Sequence, residues 1–177
     1  MNWRDRLAQL ANTADDAEFP LIAFRVSQPV ENATFPDLLP SSGGLRDFYA
    51  ICDGGSIGDF QIVGIGEIEE SNRHWRQNLS NYYPDGTSPL NEQHLVLGSD
   101  SAGAPLIWDS ERDAMLTFWF KGGDWESLDA TFETWIQDLL VPARPLEGDL
   151  WHEALALLDN NSEQDGGGQP ATRPKSK

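Results

Sequence analysis

Residues 45–70, LRDFYAICDGGSIGDFQIVGIGEIEE, decide the fold. Leu45, Phe48, Tyr49 and Cys52 fall at i, i+3, i+4 and i+7, so a helix through them carries one apolar face that another element must cover. Asp53-Gly54-Gly55 ends that helix, because glycine enters the left-handed region after a last turn at little steric cost. Phe60, Ile62, Val63 and Ile65 then read as a brief strand. A second helix over 67–78 turns Ile68 and Trp75 inward.

Working outward, Trp3, Leu7, Leu10 and Ala11 repeat at helical spacing and predict an N-terminal helix over 2–12. Residues 19–26 are apolar, yet Pro20 and Pro29 confine them to a sheet edge or an irregular segment. The stretch 32–44 is loop, ending in Ser41-Ser42-Gly43-Gly44, where Ser42 or a neighbouring glycine can cap the next helix. Beyond the nucleus, 80–93 is a polar connection with a turn at Pro84-Asp85-Gly86. Short strands are expected at 95–97 and 105–108, then a turn at 109–113 and a strand over 114–120. In that strand Leu116, Phe118 and Phe120 alternate with Met115, Thr117 and Trp119, so both faces are largely apolar. A helix over 127–141 follows, with Leu128, Phe132, Trp135, Ile136 and Leu139 as its stripe, Ser127 as cap and Pro142 as stop. A shorter helix is read at 150–158. Residues 160–177 lack large apolar side chains and read as a disordered tail, which leaves 1–159 as a single domain. The fold class is α+β: a small, mainly antiparallel sheet flanked by helices, with the 127–141 helix packed across it.

The 177 residues carry 29 acidic and 12 basic side chains, a formal net charge of -17. The acids concentrate in the second half, with 15 against 3 basic residues over 85–159 and 12 against 6 over 1–84. Nucleic acid and anionic lipid both demand clustered Lys and Arg, so neither is an expected partner. A basic protein is. The single Cys excludes an internal disulfide, and Cys52 on an apolar helix face reads as a small buried hydrophobe. Residues 1–16 carry Arg4, Asp5 and Arg6 where a secretory signal needs an apolar run, and no stretch has the length of a membrane span, so the expected location is the cytoplasm.

Motifs that carry chemistry fail on context. Gly54-Gly55-Ser56-Ile57-Gly58 matches the G-x-S-x-G of serine hydrolases, but that chemistry needs the serine on a strand-to-helix elbow, and here a helix precedes. Asp109, Glu111 and Asp113 alternate as in a calcium loop, yet an EF-hand would need Gly and Glu where Ala114 and Phe120 stand. Neither zinc spacing nor a phosphate loop is present, and no cofactor or metal is expected. Trp119, Asp124, Trp125 and Glu126 surround a glycine turn and combine interface-type aromatics with acids that steer a basic partner. With Asp109, Glu111 and Asp113 they form the candidate partner-binding set.

The Leu38-Leu39-Pro40 approach, the helix with Phe48 and Tyr49, Asp53-Gly54-Gly55 and Ile65-Gly66-Glu67 together resemble the SUKH superfamily. Leu97-Gly98-Ser99-Asp100 and the closing helix with Phe132 and Trp135 extend the resemblance over 21–141. The group includes a fungal cell-wall-synthesis regulator and bacterial proteins that protect a cell from toxins. The resemblance implies an immunity protein that covers a cognate toxin, and the charge adds that the toxin is basic. The alternatives are a regulatory scaffold in cell-wall or signalling assemblies and, more weakly, a hydrolase using Ser56 or a carboxylate pair. The resemblance carries over no catalytic residue.

Overall fold

A computed structural model describes residues 1–12, 24–31, 34–37, 39–83, 85–120, 123–143 and 153–156. Six strands form one antiparallel meander in chain order: β1 (Gly55–Ile57), β2 (Phe60–Ile62), β3 (His94–Asp100), β4 (Pro105–Asp109), β5 (Ala114–Trp119) and β6 (Asp124–Ser127). Four helices accompany them, α1 (Trp3–Ala11), α2 (Gly44–Ile51), α3 (Ile68–Ser80) and α4 (Phe132–Leu140), with a further helical stretch at 153–156. The expected α+β class is what the molecule has. Most of the 150–158 helix, part of the 19–26 segment, Pro84, and the whole 160–177 tail lie outside the described residues.

Each face of the sheet buries its own cluster, as the two apolar sides of β5 require. On one face Met115, Leu95, Leu97 and Leu106 meet α1, α2 and α4 through Leu7, Phe48, Ile136 and Leu140. Phe132 sits among Phe48, Trp3 and Trp135, with ring centroids 5.8, 6.4 and 5.8 Å away, so aromatic edges and faces fill the space between the three helices. Arg4 of α1 ties the same helices at the surface, reaching Asp47 of α2 at 2.6 Å and Glu133 of α4 at 2.8 Å. On the other face Val96, Ile107, Leu116 and Phe118 pack under Leu79 of α3 and Leu90 of the following loop.

Several boundaries differ from expectation, each for a local reason. Helix α2 ends at Ile51 and the next residue, Cys52, is already extended at φ -146°, so Gly54 and Gly55 turn the chain after the helix has stopped. Their positive φ and the approach of the Val63 and Arg25 carbonyl oxygens exclude a side chain at either position. Gly55 itself opens β1, a strand the glycines conceal. Strand β2 stops at Ile62, short of Val63 and Ile65, while β3 and β4 run longer than read. Ser127 does not cap α4: it ends β6, and Met115 of β5 donates to Ala130 O and accepts from Leu128 N, tying 128 and 130 to the sheet while Asp129 between them takes a left-handed φ of 50°. The helix starts only at Phe132, capped by Thr131, whose hydroxyl accepts from Thr134 N while Thr134 Oγ1 accepts from Thr131 N.

Candidate functional site

Strand alternation sorts the expected partner-binding residues into three places. Thr117 pairs with Glu126 and Trp119 with Asp124, so these four side chains share one face of the β5–β6 ladder, while Phe118 and its partner Trp125 take the other. Trp119 is 58% exposed. Its indole N–H donates to the Glu126 carboxylate across the ladder, which holds the ring upright in solvent. Asp124 stands directly opposite. Trp125 turns the other way and packs on Phe118 and His94, at centroid distances of 5.1 and 5.2 Å, so it anchors the hairpin to the second cluster.

Asp109, Glu111 and Asp113 lie at the far end of β5, roughly 17 Å from Trp119 at the usual rise per strand residue. Asp109 is buried and spends its oxygens locally. Oδ1 accepts from the backbone N–H of Glu111 at 2.9 Å and of Arg112 at 3.2 Å; Oδ2 lies 3.3 Å from the Arg112 guanidinium and 3.9 Å from His94 Nε2. Burial lowers the His94 pKa, against the pull of Asp109. Asp113 accepts from the Trp108 indole at 2.9 Å and holds a left-handed φ of 48°. These two acids build the β4–β5 turn, and only Glu111 faces solvent without such a task. The exposed candidates that share one face are therefore Trp119 at the end of β5 and Asp124 and Glu126 on β6, the last strand of the sheet.

Ser56 lies inside β1, donating from its hydroxyl to Gln61 Oε1 at 2.8 Å across the hairpin. A groove of about 430 Å³ runs beside that hairpin, lined in part by Asp53, Gln61, Val63 and Glu67. Asp53 Oδ1 accepts from Ile65 N at 2.7 Å and so braces the groove wall. Among the described residues, no three His, Cys, Asp or Glu side chains gather as a metal site. Nor is any described helix long and apolar enough to cross a membrane.

One feature escapes a reading by motif. Trp75, Asn78, Asn81, Tyr82 and Phe120 line a pocket of about 390 Å³ between the end of α3 and the end of β5. Tyr82 is 55% exposed, and its ring lies 5.2 Å from that of Phe120. The sequence signal is the spacing of Trp75, Asn78 and Tyr82 at i, i+3 and i+7, partly hidden because Tyr82 lies beyond the helix end.

Comparison of the chain with known protein families, with curated proteins and with solved structures finds no match in any of the three.

Proposed function

We propose that the protein is a non-catalytic, acidic binding module of the SUKH kind, working in the cytoplasm as an immunity protein that covers a basic toxin. The observation that carries this reading is the edge formed by Trp119, Asp124 and Glu126. A large aromatic ring is held by a carboxylate, faces solvent, and is flanked by acids on the terminal strand of the sheet. Interfaces use Trp as an anchor because it buries a large area with few rotamers to fix, and acids around it speed encounter with a cationic surface. A formal charge of -17 extends the same attraction over the whole surface.

Co-expression with the product of the neighbouring gene tests the reading. Protection of growth and a stoichiometric complex are expected, with Trp119→Ala weakening the complex by at least about tenfold, the loss typical of an interface anchor. Neither protection nor complex formation would end it.

A further inference from the structure

The aromatic pocket at the end of α3 has the chemistry of a cation site. Three of its five lining residues are aromatic, Trp75, Tyr82 and Phe120, and a ring face presents negative potential to a cation above it. Tyr82 and Phe120 are tilted 42° to each other with centroids 5.2 Å apart. That spacing admits no group between them, so an occupant lies over them toward Trp75. The other two lining residues are amides. One N–H of Asn78 is engaged by His74 Nε2 at 2.7 Å, which leaves the Asn78 carbonyl oxygen as an acceptor for a donor-rich ligand.

The position adds to this. The pocket lies at the C-terminus of a helix of 13 residues, whose dipole is negative there, and the last turn of α3 contains no basic side chain. None of the described lining residues is cationic. A planar guanidinium suits such a place better than an ammonium, because it stacks on aromatic faces, carries less tightly held water and donates in several directions at once.

We propose that this pocket receives an arginine side chain of the partner; the assignment rests on the reading that the partner is cationic. Arginine is thereby the side chain that the module selects on the surface it covers. Trp119 engages from one face of the β5–β6 hairpin, and the pocket beside Phe120 engages from the other.

The test uses the full chain and N-acetyl-arginine amide, with N-acetyl-citrulline amide as its neutral isostere and maltose as a neutral sugar. Binding is followed by NMR through the indole N–H signal of Trp75 and the side-chain amides of Asn78 and Asn81. Saturable shifts at millimolar arginine amide are expected, absent with citrulline amide and maltose. Tyr82→Ala and Phe120→Ala should each weaken binding roughly three- to tenfold, the range for one ring facing a cation. Signals outside the pocket report whether each variant is folded. Equal shifts with citrulline amide or maltose, no shift with arginine amide, or shifts untouched by both ring deletions would overturn the proposal. Arginine binding in a chain that captures no toxin would sustain the pocket and end the immunity reading. A toxin complex indifferent to both ring deletions would do the reverse.

Discussion

At the scale of single residues, Gly98 shows how closely the sheet is fitted. A Cβ there would stand 1.9 Å from the carbonyl oxygen of Gln61, a backbone atom of β2 that cannot swing aside. The β3–β4 register also shifts between Val96 and Gly98, so the close approach accompanies an irregularity in the strand. Gly98→Ala should destabilise the protein by about 3 kcal/mol or more, as overpacking against backbone does. Gly66→Ala, where the added atom meets nothing within 4 Å, should stay within about 0.5 kcal/mol. Urea unfolding of the two variants checks the contrast. Cys52 is fully buried, and burial pushes its thiol from 9.0 up to about 12, with the Asp53 charge adding and the Gly54 hydrogen bond opposing. The native thiol should therefore resist iodoacetamide at pH 8 and react only in denaturant. Because the folded thiol binds its proton more tightly than the unfolded one, its contribution to stability is whole below pH 9 and is lost as pH rises toward 12.

At the scale of elements, the side chain of Asn72 ties α3 to the sheet. Asn72 is buried; its Nδ2 donates to Val96 O at 2.9 Å and to Ile68 O at 2.7 Å, and its Oδ1 accepts from Val96 N at 2.8 Å. β2 pairs with β3 only from Gly98 to Asp100, so the Asn72 amide serves Val96 as a missing strand partner would. Asn72→Leu leaves both Val96 groups buried and unbonded, an expected loss of about 2–4 kcal/mol. Faster hydrogen exchange at the Val96 amide would accompany it. Asn72 also marks what the sequence could not convey. Helices α1, α2 and α3 and the two-sided burial of β5 were legible because apolar spacing alone specifies them, and the β4–β5 turn because the polar run 109–113 separates two apolar ones. Strand β6 was not: Asp124-Trp125-Glu126-Ser127 has one inward residue and no branched one, and it is a strand only because β5 pairs with it. The same pairing displaced the start of α4 from Ser127 to Phe132. Of the candidate site, Trp119, Asp124 and Glu126 were legible only as neighbours of a glycine turn, in one group with Trp125, which the pairing of β6 with β5 turns to the opposite face. That Asp109 and Asp113 would turn their oxygens to their own loop depends on side-chain geometry that no spacing records.

At the scale of the molecule, a formal charge of -17 acts in two directions. Like charges repel within the folded body, so added salt should raise the melting temperature. The same salt should slow capture of a basic partner by roughly tenfold or more between 0.05 and 0.5 M, with dissociation changing far less. Opposite responses in calorimetry and in stopped-flow association would identify long-range attraction as the origin of fast binding. The final strand gives this field a local purpose. β6 is four residues long, closes the row of strands, and carries Asp124 and Glu126 outward. Among the described residues no strand pairs with its outer side, and a rim of this type invites other chains to extend the sheet, which is how aggregates begin. If two copies met rim to rim, each would set its carboxylates against those of its twin, and the encounter would fail. Such repulsion opposes self-association through β6 and spares a strand that bears lysine or arginine.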